Sequence, residues 1–259
     1  MNTSGQNEFI TKVKTALGYA LTDERQGLHL LLTADSLLHT GTLEKINART
    51  KDDHRKLLDT LIEQGKPINL NVIPQKDVET LRLTIKELVR DKNPEWGGQK
   101  SVVAWKHPLI QKLNLPQYLA DEKVPVHYTT VQDDEADPKA LAADRAKIRQ
   151  LVVDSYIGIT SADYCLADTA TLVMKARAGQ ARSVSLVPSV HIAIIELEQI
   201  IADLKELYIL LKRASRKKFE DLSNCMTFIS GPSKTGDIEL TMVHGAHGPR
   251  ELYLFVITG

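Results

Sequence analysis

From Ser101 onward, short apolar runs rich in β-branched residues alternate with stretches whose apolar residues recur at helical spacing. This alternation restricts the fold more than any other feature of the chain. Ser101-Val-Val-Ala-Trp105, residues 124–130, Ile157-Gly-Ile-Thr160, and residues 171–175, 183–187, 192–195, 225–229 and 252–257 read as strands. Several are apolar throughout, as strands covered on both faces are. Between them, Pro108 opens a short helix that runs to Leu115. Asp137-Pro138 opens a longer one toward Val153, with an aspartate able to cap and a proline suited to the first helical position. Ile200, Leu204, Leu207, Tyr208 and Leu211 share one face of another helix. Strands and helices in this order predict an α/β domain with a largely parallel sheet.

The first third has a different texture. Phe9, Ile10, Val13, Ala16 and Leu17 keep helical spacing up to Gly18. Leu43, Ile46, Leu57, Leu58, Leu61 and Ile62 form a second, longer helical region, closed by Gly65-Lys66-Pro67, with the charged residues 50–55 facing solvent. Val78, Leu81, Ile85 and Leu88 give a third helix, ended by Asn93-Pro94 and Gly97-Gly98. The expected division is a helical N-terminal arm over residues 1–66 and an α/β domain over 67–259.

Charge and cysteine content exclude several functions. Thirty-three basic and 33 acidic residues cancel, so no global positive field attracts a phosphate backbone, and nucleic acid is not an expected partner. The cations Arg213, Arg216, Lys217 and Lys218 complement the dipole at a helix C-terminus. Cys165 and Cys225 cannot form a disulfide framework or a four-thiolate metal site. No apolar run approaches a membrane span, and the start MNTSGQNEFI lacks the pattern of a signal peptide. A soluble, cytoplasmic protein is expected.

Three stretches concentrate small and polar residues beside strands. In the first, Ile157–Thr160 empties into a turn with Thr160, Ser161 and Asp163, followed by Asp168, Thr169 and Thr171. Ligands of open α/β sheets bind beyond strand carboxyl ends, although Thr160 and Asp163 could equally cap a short helix. The second stretch is Ser230-Gly-Pro-Ser-Lys-Thr-Gly-Asp-Ile-Glu239. Ser230, Ser233, Lys234, Thr235 and the backbone amides could cradle an anion, and Asp237 could act as a general base. Asp237-Ile238 stands where an ATP-type phosphate loop needs Lys-Ser/Thr, which excludes that loop. The third is His244-Gly-Ala-His247-Gly-Pro249, where a turn that contacts backbone or ligand is favoured over a metal site. His191 is weighed in the same way. There is no Gly-x-Ser-x-Gly elbow and no Gly-x-Gly-x-x-Gly fingerprint, and Cys165 reads as a buried structural thiol.

Taken together and in order, five segments resemble the LUD domain, the lactate-utilisation family, in its protein C and YkgG-like branch. They are Gly158-Ile-Thr-Ser-Ala-Asp163, Asp168-Thr-Ala-Thr-Leu-Val173, Ser185-Leu-Val-Pro-Ser-Val-His191, the 230–239 stretch and His247-Gly-Pro249. The resemblance is specific from about Asp137 to the C-terminus. It implies a three-layer, Rossmann-like α/β/α sandwich of the ribose-5-phosphate isomerase and CoA-transferase class. It also implies a place in a bacterial system that oxidises L-lactate to pyruvate and whose partner subunits carry iron–sulfur clusters. This chain has no cysteine-rich motif, so it is expected to be the clusterless accessory or substrate-binding subunit, with no cofactor or metal of its own. A homo-oligomer is compatible with this.

Two alternatives stay open. One is a stand-alone enzyme or sensor for a small phosphorylated or carboxylated metabolite, with Asp168 or Asp237 as base or nucleophile. The other is an oligomerisation module built on the helical first third. The ligand contacts expected are Thr160, Thr169, Thr171, His191, Ser230, Gly231, Ser233, Lys234, Thr235, His247 and Gly248, in a cleft where the loops after Thr160, at 188–191, after Ile229 and at His247 converge. The family's acidic-Thr-Gly-Thr segment is here Asp168-Thr169-Ala170-Thr171. Where such a turn takes positive φ, alanine costs about 1 kcal/mol.

Overall fold

The computed structural model describes residue 12 and residues 36–94, 98–130, 138–217, 225–236 and 242–259. The chain divides into two compact units, residues 1–48 and 49–259. The first unit holds helix α1 (Ser36–Asn47). Of the helix expected near residues 9–17, residue 12 alone is described, and the rest lies outside the described residues.

The second unit opens on α2 (Lys51–Gly65), so the long helical region of the sequence is two helices and not one. The break falls at Thr50, which caps α2. Its hydroxyl accepts from the Asp53 backbone N–H at 3.2 Å, and the Asp53 carboxylate accepts in return from the Thr50 N–H at 3.0 Å. Then follow strand β1 (Leu70–Gln75), helix α3 (Val78–Asp91) with Asp77 as its cap, and β2 (Val102–Trp105). The short helix at Pro108 becomes two single turns, α4 (Pro108–Gln111) and α5 (Leu115–Tyr118), because Asn114 takes φ +47° between them. β3 (Val126–Thr129), α6 (Pro138–Val153), β4 (Ile157–Ser161), β5 (Tyr164–Leu166) and β6 (Thr171–Lys175) come next. The chain ends through β7 (Val190–Glu196), β8 (Ile200–Ile201), α7 (Leu204–Lys217), β9 (Met226–Ile229), β10 (Lys234–Gly236), β11 (Met242–His244) and β12 (Glu251–Ile257).

Six strands form one sheet in the order β1-β12-β7-β4-β2-β3, and every pairing is parallel. The fold is therefore mixed α/β on a parallel sheet, as expected. The last strand, β12, is inserted between β1 and β7, and with β7, β4 and β2 it supplies a large part of the apolar core, including Phe255, Ile192, Ile159 and Val103. A second sheet, β8-β5-β6-β9, and the hairpin β10-β11 stand beside it.

Two elements differ from the sequence reading. β1 was not expected, because Asn71 and Pro74 interrupt its apolar run. Proline is tolerated there because β1 is an edge strand. Residues 183–187 are not a strand: Arg182–Ser185 is a single 3-10 turn, with the Ser185 hydroxyl donating to the Arg182 carbonyl at 2.9 Å. That turn lies across β4 at Gly158, where a Cβ would come within 2.0 Å of the Val184 carbonyl oxygen. α7 is tied back to the start of the unit by the ion pair of Arg49 with Glu206, whose carboxylate also accepts from the Ala202 N–H at 2.8 Å.

Candidate functional site

Parallel pairing brings Gly158, His191 and Leu252 side by side on one face of the sheet. His191 is the second residue of β7 and Leu252 the second of β12, so this row lies near the amino ends of the strands. Over it sits a cleft of about 230 Å3, whose walls are the end of the 3-10 turn (Ser185, Leu186), β9 from Thr227, the loop 230–233 and the turn 247–249. The loop can lie there because residue 231 is glycine. It takes φ +84°, and a Cβ would meet the Ile68 carbonyl oxygen at 2.6 Å.

Six of the expected contacts, His191, Ser230, Gly231, Ser233, His247 and Gly248, line this cleft. Three more, Thr160, Thr169 and Thr171, reach it through hydrogen bonds, and through them so does Asp168, the expected base. The Thr160 hydroxyl meets His191 Nε2 at 2.7 Å, diagonally from β4 to β7. The Thr171 hydroxyl meets Ser230 Oγ at 2.6 Å and Thr169 Oγ1 at 3.0 Å, and Thr169 donates to Asp168 at 3.1 Å. Lys234 and Thr235 leave the cleft wall and pair with β11 opposite His244 and Val243. Asp237 lies outside the described residues. The loop after Thr160 does not join the cleft, because β4 carries it to the opposite, carboxyl end of the sheet. There Asp163 caps no helix: its carboxylate accepts from the Lys175 N–H at 2.7 Å and pairs with Arg177. The sequence reading missed the cleft residues Leu186 and Thr227, for which no polar motif gives a signal.

No Asp, Glu, Lys or Arg side chain among the described residues lines the cleft. Its chemistry is that of hydroxyls, a short turn and two histidines. His191 is fully buried, and burial pushes its pKa down to about 3, so the ring is neutral. Its Nδ1 has no hydrogen-bond partner, and an unsatisfied buried nitrogen costs about 1–3 kcal/mol. Across the cleft, Thr171 donates to Thr169 and Thr169 to Asp168, which sets the direction of the chain: Ser230 donates to Thr171 and keeps its lone pairs for the cleft. Ala170, inside that segment, has φ +46° and is fully buried, a left-handed backbone that is strained for a residue with a side chain. Burial raises the pKa of the Cys165 thiol, in keeping with a structural role. No group of three or more metal-ligating side chains occurs among the described residues. Nor is any helix among them long and apolar enough to cross a membrane.

Fold and cleft together define a parallel α/β protein with a cleft of hydroxyls and histidines over the amino ends of the central strands. A family model for the LUD domain matches residues 45–257. Lactate utilization protein C of Halalkalibacterium halodurans is 34% identical over 78% of this chain and 79% of its own length. That of Shouchella clausii is 30% identical over 83% of each. This chain belongs to the LUD-domain family. A crystal structure of a DUF162-family protein from Deinococcus radiodurans superposes with a TM-score of 0.46 at 16% identity, covering 81% of this chain and 99% of that one.

Proposed function

We propose that this chain takes part in lactate utilisation as the component that binds the small hydroxy acid, carrying no cluster itself and working beside iron–sulfur partner subunits. The observation that carries the reading is the unpartnered Nδ1 of His191, a residue that lines the cleft. A neutral imidazole has one N–H. With the Thr160 hydroxyl donating to Nε2, that proton sits on Nδ1 and meets a carboxylate oxygen, and hydrogen bonds to ionised partners are the strong ones. Ser230, its own proton spent on Thr171, accepts from the hydroxyl next to the carboxylate. A donor for the carboxylate and an acceptor for its neighbouring hydroxyl fit a 2-hydroxy acid better than a 2-keto acid, which has no hydrogen to offer Ser230. The name carried by the related proteins is in keeping with this ligand.

Calorimetric titration is expected to show L-lactate binding more tightly than pyruvate, with Ser230→Ala weakening lactate about 10-fold and pyruvate less. Equal affinities in the parent, or no loss in the variant, would remove the ligand assignment. The partner assignment is tested separately. Purification of the tagged chain from cells grown on lactate should bring down iron-bearing proteins with lactate-dependent dye reduction, and an iron-free homo-oligomer would overturn it.

The hydrogen-bonded chain from Ser230 to Asp168 supports a second reading, a stand-alone enzyme in which Asp168 receives the Ser230 proton during turnover. Asp168→Asn would then lower turnover about 100-fold while leaving ligand affinity nearly intact. Unchanged turnover would dispose of that reading.

A further inference from the structure

The loops that follow β2 and β4 meet where the order of the sheet reverses: from β2 the chain steps outward to β3, then returns past β2 to β4. In open parallel sheets the crevice beyond the carboxyl ends at such a point is where ligands bind. A pocket of about 270 Å3 occupies that place, bordered by Trp105 and His107 at the end of β2, Ser161 and Asp163 at the end of β4, and Arg177 and Gln180. It shares no lining residue with the cleft at His191.

The side-chain acceptors of Asp163, Gln180, His107 and Gln199 are each engaged from within the protein. Asp163 Oδ2 accepts from the Lys175 N–H at 2.7 Å, and Oδ1 takes the Arg177 guanidinium. Gln180 Oε1 faces the other guanidinium nitrogen at 3.5 Å. His107 Nδ1 accepts from the Leu109 N–H at 3.3 Å. Gln199 is used at both ends, by the Glu196 N–H and the Ala162 carbonyl. The groups left over are donors. Arg177 keeps three of its five N–H bonds, Gln180 keeps its NH2, and His107, with Nδ1 an acceptor, carries its proton on Nε2. Burial, reinforced by the nearby Arg177 cation, lowers the His107 pKa, so the ring is neutral and this tautomer holds. Asp163 fixes the guanidinium in place, so little side-chain freedom is lost when a ligand arrives.

A half-enclosed pocket whose open groups are chiefly the donors of Arg177, Gln180 and His107 selects an acceptor-rich ligand. We propose that this pocket is a second binding site, one for the oxyanion of a small carboxylate or phosphate, with Arg177 as the anchoring cation. Trp96→Phe leaves Trp105, on the pocket wall, as the one tryptophan of the chain. In that protein, at constant ionic strength, Trp105 fluorescence should change saturably with sodium L-lactate or with inorganic phosphate, and the titrant that acts identifies the source of the oxyanion. Arg177→Gln should weaken the response about 10-fold or more. Gln180→Leu, which keeps the Arg177–Asp163 pair, should weaken it as well, and melting curves show that both variants are folded. Ser230→Ala, in the other cleft, should leave the response unchanged. No saturable change with either anion, an unchanged titration in both pocket variants, or loss of the response in Ser230→Ala would each overturn the proposal.

Discussion

Below about pH 6.5 the folded chain is expected to lose stability through His191 at about 1.4 kcal/mol per pH unit. The unfolded chain takes up a proton on this imidazole near its ordinary pKa, whereas the folded chain, with the ring fully buried, does so only near pH 3. Between those values the unfolded state binds the extra proton, so acid draws the equilibrium toward unfolding. The contribution of the neutral buried ring is whole above the unfolded pKa and is lost as pH falls toward 3. At pH 5 it amounts to about 2 kcal/mol. Urea unfolding at pH 7.5 and pH 5 measures it, and His191→Leu isolates it from the other histidines. The variant should lose about 2 kcal/mol less than the parent between the two pH values. It leaves the Thr160 hydroxyl without its partner, but that cost is the same at both pH values and cancels. An identical pH dependence in parent and variant would mean that the ring is not held neutral. A carboxylate bound at the unpartnered Nδ1 should raise the folded pKa of His191 and soften the acid loss, which ties this measurement to the ligand proposal.

The parts of this fold that were legible were those in which local pattern and final environment agree. β2, β4 and β6 are buried along their whole length and read as short runs of mostly apolar and β-branched residues, and α3 shows Leu81, Ile85 and Val89 on one buried face. β1 was illegible because its edge position tolerates Asn71 and Pro74. The turn at Arg182–Ser185 was misread because Val184 and Val187 look like strand residues, while what decides the conformation is the bare backbone of Gly158, some 25 positions earlier. Ser230, Gly231, Ser233 and His247 stood out as turn-forming polar residues next to strands, and the fold does gather them. The Thr160–His191 contact and the Arg177–Asp163 pair had no sequence signal. The first depends on the register of β4 against β7, and the second on the β5-β6 hairpin turning Arg177 back over Asp163.

Gly158→Ala is expected to destabilise the chain by about 3 kcal/mol and to open the cleft. The added methyl would lie 2.0 Å from the Val184 carbonyl oxygen and 3.1 Å from Pro188 Cγ. A flexible side-chain tip could swing away from such a contact, but the nearest atom here is backbone. That backbone belongs to a hydrogen-bonded turn, in which the Val184 N–H donates to the Ala181 carbonyl and the Leu186 N–H to the Ser183 carbonyl. β4 cannot yield instead, since it is paired on both sides by β2 and β7. The turn must therefore lift as a unit, and Ser185 and Leu186 on the cleft wall lift with it. Gly98→Ala is the control, because a Cβ there meets nothing within 4 Å. Denaturant unfolding should place Gly98→Ala within about 0.5 kcal/mol of the parent and Gly158→Ala well below it. Ligand affinity in the His191 cleft should fall with Gly158→Ala even at temperatures where the variant stays folded, because its wall has moved while His191 and Ser230 have not. Equal stability of the two variants would mean that the turn does not rest on the strand at Gly158, and that the absence of a side chain there does not shape the cleft.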